Sequence, residues 1–366
     1  METTELHYCI ALTLLAGIGP RSAKILISHY GEPEDFFNDK KLHKNEIPGF
    51  SKMRLKTLNR TEALLKAEKH LDFILKNEIK PIYFKSKNYP SRLKNCVDAP
   101  LMLYSKGNFD RNPSRCIAVV GTRNITPYGK KIVEELIRDL KPFNLQVVSG
   151  MAYGVDVLTH KSCLKYAIPT VGVMGHGLDR VYPAQHRSIA KKMIDSEGGL
   201  LTEFLEGTLP ERENFPMRNR IVAGMTDATI VVESGKKGGS LITANLANDY
   251  NRDVFAFPGN IDNPYSEGCN NLIANDKAHL ITCAEQIVDV MGWNHQLNTA
   301  VQTQLFPELK PEEKQVVELL KEVKELSVDN LANKLKKPVS ILNSILLGLE
   351  LQGLICAVPG NKFKLS

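Results

Sequence analysis

The residues best suited to do chemistry lie between Phe215 and Ser240. An aromatic residue and two arginines come first, in the run Phe215-Pro216-Met217-Arg218-Asn219-Arg220, and one apolar strand later the chain continues as Gly235-Lys236-Lys237-Gly238-Gly239-Ser240. Guanidinium groups bind phosphate through paired hydrogen bonds, and free backbone N–H groups at a helix start attract anions. This pattern predicts anion binding, since no obvious nucleophile–base pair or metal cluster accompanies it.

Two further glycine-rich turns follow apolar runs that resemble strands. They are Val119-Val120-Gly121-Thr122-Arg123 and Val148-Ser149-Gly150-Met151-Ala152-Tyr153-Gly154-Val155-Asp156. Thr126 and Pro127 suit the N-cap and the first residue of a helix after the first turn. Three such turns at strand ends, with Arg123 and Lys237 beside them, predict a shared anion site on one sheet.

Phe215 lies three residues before the first arginine of its run. Proteins that hold single-stranded nucleic acid use this pairing, because bases stack on the ring while cations neutralise phosphates. The alternative is that Phe215 belongs to the core and that the arginines pair with Glu203 or Glu206. Both interpretations remain open at this point.

Common nucleotide and metal signatures do not occur. No Gly-x-Gly-x-x-Gly follows the first strand of the α/β region, and no Gly-x-x-x-x-Gly-Lys-Ser/Thr occurs, which argues against a dinucleotide cofactor and against ATP hydrolysis by a P-loop. His176, Asp179 and His186 do not have the spacing of a common metal site. We therefore predict no cofactor, no metal and no catalytic residue.

These turns need a buried parallel sheet to position them. Short apolar runs rich in β-branched residues alternate with helical stretches, which predicts an α/β fold with a doubly wound, mostly parallel, extended Rossmann-like sheet. Ligands bind such a sheet at the carboxyl ends of its strands. We predict strands at 81–84, 101–104, 116–120, 145–148, 170–174, 199–202, 228–232 and 254–257.

The segments on either side of this sheet have a helical period. Residues 1–75 contain the hairpin pattern Leu15-Ala16-Gly17-Ile18-Gly19-Pro20, which predicts a helical domain of the SAM-like, helix-hairpin-helix type. Its hairpin amides either hold a phosphate or serve packing alone. We assign 80–292 to the extended Rossmann-like domain, which carries the candidate anion site, and 293–309 to a linker.

Residues 310–366 have the outline of a winged helix. Helices are predicted at 311–323, 328–335 and 339–351, and strands at 354–357 and 362–365 flank the turn Pro359-Gly360-Asn361. In versions that read DNA, the third helix carries cations to phosphates and base edges. The third helix here has no Lys or Arg, which favours a role in protein interaction or regulation.

Composition limits the cellular setting. The 366 residues carry a net charge of +6, and seven cysteines are scattered without a Cys-x-x-Cys pair. No apolar run reaches the length of a membrane helix, and the acidic start resembles neither a signal nor a transit peptide. We expect a cytoplasmic protein with reduced thiols and no membrane partner.

Taken in order, the motifs resemble those of the DprA (Smf) family of bacterial DNA-processing proteins. The matching runs include Gly121-Thr122-Arg123, the Ser149–Asp156 stretch, Phe215-Pro216-Met217-Arg218-Asn219-Arg220 and Gly238-Gly239-Ser240-Leu241. The resemblance covers the whole chain and implies a SAM-like domain, a Rossmann-like domain and a winged helix. It also implies a non-catalytic protein that binds single-stranded DNA in natural transformation, protects it, loads the RecA recombinase and forms homodimers through the Rossmann-like domain.

The same resemblance implies a set of DNA-binding residues. Arg123, Arg218, Arg220 and Lys237 would line a basic pocket, Phe215 would stack on a base, and Arg212 is a looser match. The remaining members of the set are Gly121, Thr122, Gly150, Asn219, Gly238, Gly239 and Ser240.

One alternative comes from a different class of protein. The sheet also resembles that of phosphoribohydrolase-like enzymes, which cleave nucleoside monophosphates and carry a glutamate shortly after a Pro-Gly-Gly-x-Gly-Thr run. Here the corresponding run has no acid until Asp249. Such cleavage requires a carboxylate at that place, so we favour binding over catalysis.

Overall fold

The computed structural model describes residues 3–41, 46–293, 310–323, 325–351, 354–358 and 362–365. The chain divides into two compact units, Met1–Trp293 and Asn294–Ser366. The helices are α1 Thr3–Thr13, α2 Pro20–Tyr30, α3 Pro33–Asn38, α4 Lys52–Thr57, α5 Arg60–Lys76, α6 Ser91–Lys94, α7 Pro127–Leu140, α8 Val155–Tyr166, α9 Arg187–Ile194, α10 Asn214–Gly224, α11 Gly239–Asp249, α12 Glu267–Ala274, α13 Ala284–Val290, α14 Pro311–Glu322, α15 Val328–Leu335 and α16 Val339–Leu351. The strands are β1 Lys80–Tyr83, β2 Met102–Gly107, β3 Cys116–Val120, β4 Gln146–Ser149, β5 Thr170–Val173, β6 Gly199–Thr202, β7 Ala228–Val231, β8 Asp253–Ala256, β9 His279–Leu280, β10 Leu326–Ser327, β11 Ile355–Val358 and β12 Lys362–Leu365.

A nine-stranded sheet with the order β1-β2-β6-β5-β4-β3-β7-β8-β9 organises the larger unit. The seven strands from β6 to β9 along this order are parallel. At one edge of the sheet β2 runs antiparallel to β6, and β1 runs antiparallel to β2. The α/β, mostly parallel prediction is confirmed. The strand β9 was not predicted, because two residues are too short to give a periodic signal.

The direction in which the chain winds reverses at β3. The strands β4, β5 and β6 follow on one side of β3, and β7, β8 and β9 follow on the other. A crevice opens outside the carboxyl ends of the strands at such a switch point. The crevice therefore lies above β3, β4 and β7, where the three glycine turns occur.

Alternating residues of β3 pack into different cores. Ile117 and Val119 belong to the cluster that includes α7, whereas Ala118 and Val120 pack against residues of α10 and α11. A strand whose successive side chains are all buried must be covered by helices on both faces. This explains why the central strands are apolar runs rather than alternating ones.

The N-terminal helices do not have a core of their own. Residues of α1 to α5 share one apolar cluster with Tyr83, Met102 and Tyr104 on β1 and β2. Ile18, at the predicted hairpin, is buried, and the Arg54 guanidinium donates to the Gly17 carbonyl at 2.6 Å. The predicted boundary at residues 75–80 marks a change from helices to strands within one compact unit.

Trp293 corrects the predicted start of the linker. Its ring is buried in the core beside α7, its carbonyl accepts a hydrogen bond from Arg115 at 3.1 Å, and the guanidinium lies 5.6 Å from the ring. A tryptophan ring buries a large apolar area when it packs in a core, so Trp293 belongs to the larger unit and not to the linker. The rest of the predicted linker, 294–309, lies outside the described residues.

The smaller unit matches the winged-helix prediction in its three helices. Its sheet has the order β10-β12-β11, so the predicted hairpin gains a third strand, Leu326–Ser327. Leu331, Leu342 and Leu346 lie in its core. The predicted Pro359-Gly360-Asn361 turn falls outside the described residues. Among the helices of the described residues, none has the length and apolarity needed to cross a membrane.

Candidate functional site

A cleft open to solvent lies at the carboxyl ends of β3, β4 and β7. Eleven of the thirteen residues that the sequence singled out line it: Gly121, Thr122, Arg123, Gly150, Arg212, Phe215, Arg218, Asn219, Gly238, Gly239 and Ser240. The three glycine turns therefore converge on one space. Three arginines and Asp156 are the charged residues among its lining, so the wall carries excess positive charge.

Arg123 stands on the loop between β3 and α7. The Thr122 amide donates to the Glu233 carbonyl at 2.7 Å, and the Thr122 carbonyl accepts from the Val155 amide at 3.2 Å. These bonds fix the loop between the ends of β7 and α8, while the Arg123 side chain itself is exposed. Its guanidinium lies 5.6 Å from the centre of the Phe215 ring. A planar cation and an aromatic ring thus share one side of the cleft.

The helix α10 carries both Phe215 and Arg218. The sequence interpretation placed the arginines at a helix start, but α10 begins at Asn214, so Phe215 lies in the first turn and Arg218 one turn later. Residues three apart lie on the same face of a helix. This spacing turns the ring and the guanidinium toward the same cleft.

Arg218 forms the floor of the cleft. It is 6% exposed and donates to the Val173 carbonyl. Burial lowers its pKa, and the nearby Asp156 carboxylate counters that effect. Burial likewise raises the pKa of Asp156, against the Arg218 charge and the hydrogen bond from the Ala152 amide. A Cβ on Gly150 would overlap both side chains, so the glycine leaves the space in which they meet.

The start of α11 offers backbone donors to the cleft. Gly238 is its N-cap, and among the described residues no side chain caps it. The first amides of a helix lack intrahelical partners, and the helix dipole favours an anion there. The Asn219 side chain reaches the Gly239 carbonyl at 3.4 Å, and the Ser240 hydroxyl donates to Ser234 at 2.8 Å. The helix start is thereby tied to α10 and to the segment that follows β7.

Arg220 does not face the cleft as predicted. It is 7% exposed, forms an ion pair with Glu203 and donates to the Asp98 carbonyl. The alternative in which the arginines pair with Glu203 therefore holds for Arg220 and not for Arg218. Lys237 is exposed on the turn before α11 rather than among the lining residues.

Sequence reasoning missed two carboxylates at this site. Asp156 lines the cleft floor, and Glu233, 1% exposed, lies at the end of β7. Glu233 accepts from the Thr126 amide at 2.9 Å and from the Thr126 hydroxyl at 2.5 Å. Asp156 ends the second quoted glycine motif and Glu233 lies two residues before Gly235, so a search for acids after residue 240 finds neither. Both are engaged by neighbouring groups.

A smaller pocket adjoins the cleft past Phe215 and Arg123. Tyr153 and Tyr182 flank it, and Tyr182 lies 6.4 Å from Phe215 between ring centres. The sequence analysis did not single out either tyrosine. His176 and His186, considered as metal ligands, hydrogen-bond backbone carbonyls instead, and the described residues contain no group of three or more acids, histidines and cysteines that could hold a metal.

Comparison with known proteins agrees with this architecture. The family model of DNA recombination-mediator protein A matches residues 80–292, and that of the DprA winged helix domain matches residues 301–361. Protein Smf of Synechocystis is 33% identical over 315 residues, which are 84% of this chain and 78% of the relative. DNA processing protein DprA of Bacillus subtilis is 39% identical over 212 residues, 58% of this chain and 71% of the relative.

Two solved structures are similar as well. The X-ray structure of DNA processing protein A from Streptococcus pneumoniae has a TM-score of 0.64 and 29% identity, and covers 79% of this chain and 98% of its own. A structure of DNA processing protein A from Helicobacter pylori, described in terms of its single-stranded DNA binding mode, has a TM-score of 0.53 and 27% identity. The match covers 59% of this chain and 97% of that protein. The matched model spans more than half of the chain and includes every strand of the large sheet, so the protein belongs to the DNA recombination-mediator protein A family, the DprA (Smf) proteins.

Proposed function

We propose that this protein binds single-stranded DNA in the cleft above β3, β4 and β7, without chemical turnover. The observation that carries the proposal is the wall of the cleft, where Arg123, Arg212, Arg218 and the Phe215 ring lie together with the uncapped start of α11. Phosphates bind to the guanidinium groups and backbone amides, and a base stacks on the ring.

The shape of the cleft favours a polymer over a nucleotide. A site for a small molecule is mostly an enclosed pocket with few polar groups, whereas this cleft is open to solvent and has three arginines among its lining residues. Cations bind the phosphates and an aromatic ring stacks on the face of any base. Binding to a single strand by these two contacts therefore tolerates many sequences. The single-stranded DNA binding reported for the relative from Helicobacter pylori supports this proposal.

The engaged carboxylates argue against the enzyme alternative. Cleavage of a nucleoside monophosphate needs an acid or base within hydrogen-bond reach of the substrate. Glu233 is buried against Thr126, and Asp156 is buried beside Arg218. Incubation with nucleoside monophosphates should release no free base, and measurable turnover would contradict the proposal.

The experiment that tests DNA binding compares a single-stranded oligonucleotide with the duplex of the same sequence over a salt series. We expect tighter binding of the single strand, because stacked, paired bases in a duplex cannot reach Phe215. Affinity should fall linearly with the logarithm of the salt concentration, since each phosphate contact releases counterions. Equal affinity for both forms, or a flat salt dependence, would contradict the proposal.

Membership of a recombination-mediator family supports a further part of the proposal. The bound strand would be protected in the cytoplasm during natural transformation and then passed to RecA, with the protein acting as a homodimer through its larger unit. RecA assembly on a single strand, measured with and without this protein bound to the strand beforehand, tests that transfer. No acceleration of assembly would restrict the function to binding.

A further inference from the structure

Glu233 connects both ends of the loop that carries Arg123. At one end of the loop its backbone carbonyl accepts from the Thr122 amide at 2.7 Å. At the other end its carboxylate accepts from the amide and the hydroxyl of Thr126, at 2.9 and 2.5 Å. One residue at the end of β7 therefore fixes the loop at two places, four residues apart.

The Glu233 carboxylate also occupies the anion position at the start of α7. Thr126 is the N-cap of this helix and its hydroxyl accepts from the Gly129 amide at 3.2 Å. The positive end of a helix of 14 residues attracts an anion, and in a doubly wound sheet the helix after the first parallel strand holds a ligand phosphate in that position. Here an internal carboxylate fills it.

Gly129 leaves the space that the Glu233 carboxylate occupies at the start of α7. A Cβ on Gly129 would overlap the carboxyl group of Glu233. Glycine in the first turn of a helix is otherwise less favourable than alanine. The missing side chain leaves room for the Glu233 side chain, which is almost completely buried.

We propose that Glu233 is a positioning residue for DNA binding, acting as an internal anion that holds the Arg123 loop against the cleft. The inference rests on the proposed function. Arg123 is thereby presented to phosphate on the same cleft as the start of α11, where among the described residues no side chain caps the helix.

The test measures the salt dependence of single-strand binding for Glu233→Ala, Arg123→Ala and the double variant. Releasing the loop should remove the Arg123 contact, which lowers the log–log slope by about 0.7 and weakens binding about fivefold at 0.1 M salt. The double variant should equal either single variant, because both remove the same contact. Additive losses would overturn the inference, as would an unchanged slope for Glu233→Ala.

Chemical rescue separates positioning from general damage to the fold. Acetate, added to Glu233→Ala at constant ionic strength, should refill the position at α7 and restore the slope. Glu233→Gln keeps the shape and one acceptor, so it should retain most of the binding that Glu233→Ala loses. A variant that only weakens the fold would lower the melting temperature and leave the slope unchanged.

Two further variants keep the test decisive. Gly129→Ala should displace the carboxylate and reproduce the slope of Glu233→Ala, although alanine favours the helix; this variant carries the test if Glu233→Ala does not fold. Glu135→Ala removes a half-exposed carboxylate from the same helix and should leave the slope unchanged. A wild-type slope for Gly129→Ala would overturn the inference.

Failure of the inference and failure of the proposed function have different outcomes. If the wild-type protein does not bind single strands, the proposed function fails. In that case the melting temperature still tests the anion position. Acetate should raise the melting temperature of Glu233→Ala more than that of wild type. If wild type binds and Glu233→Ala keeps its slope, the function stands and the inference fails.

Discussion

Arg218 and Arg220 are two residues apart on α10 and lie in different surroundings. Positions two apart on a helix point in different directions, so one cation lines the cleft and the other enters the protein to meet Glu203. Local spacing predicts that only one of them faces a given surface. It does not predict which, because Glu203 and Asp98 reach Arg220 from distant parts of the chain.

Phe215 should contribute stacking rather than core packing. Phe215→Ala should weaken binding of a single-stranded oligonucleotide by about 1–3 kcal/mol, because a base loses its aromatic partner. Fluorescence anisotropy measures the change, and an oligonucleotide of abasic sites provides the control. Wild type and variant should bind the abasic strand equally. Equal binding of the normal strand by both would assign Phe215 to the core.

Arg220 should matter for stability and not for DNA. Arg220→Ala leaves the buried Glu203 without its cation, which should lower the free energy of unfolding by about 3–5 kcal/mol. Denaturant titration measures the loss, and replacing both residues by methionine should recover most of it. The slope of DNA binding against salt should stay as in wild type. A lowered slope in the folded variant would return Arg220 to the DNA site.

At the scale of elements, the carboxyl ends of three strands bring the glycine turns together. The apolar runs predict the eight longer strands of the large sheet, since a strand covered on both faces needs no polar alternation. The directions of β1 and β2 could not be predicted, because they depend on the N-terminal helices that pack on them. The roles of Asp156 and Glu233 were missed for a similar reason, as their partners are distant in sequence.

His160 on α8 links the glycine turn that follows β4 to β5. Its Nε2 donates to the Gly150 carbonyl at 2.7 Å, which leaves Nδ1 to accept from the Thr170 hydroxyl at 2.8 Å. Burial lowers the pKa of His160 from 6.5 to about 4. Between pH about 4 and 6.5, His160 is therefore neutral in the folded protein and protonated in the unfolded chain.

This shift predicts an acid-sensitive fold. Stability that His160 provides is present above pH about 6.5 and is lost as pH falls toward about 4, by roughly 2 kcal/mol between pH 7 and pH 5. Urea titrations at both pH values measure the loss in wild type and in His160→Gln, which has no titrating ring. The variant should show the smaller pH dependence, and an equal dependence in both would contradict the assignment.

At the scale of the whole molecule, the cleft belongs to one of two compact units. All residues that line it fall within Met1–Trp293, and the third helix of the smaller unit carries no Lys or Arg. A protein that ends after Trp293 should therefore bind single strands within about twofold of the full chain, because it loses no phosphate contact of the cleft. Anisotropy with both proteins checks this, and a large loss would assign DNA contacts to the smaller unit.

The measurement that tests the central claim most directly is the salt dependence of single-strand binding for Arg123→Ala. Arg123 is exposed on the cleft wall, so its loss should leave the fold intact and lower the log–log slope by about 0.7. Arg138→Ala, which removes an exposed arginine at the far end of α7, should keep the wild-type slope. Identical slopes for wild type and Arg123→Ala would show that DNA phosphate does not bind in this cleft.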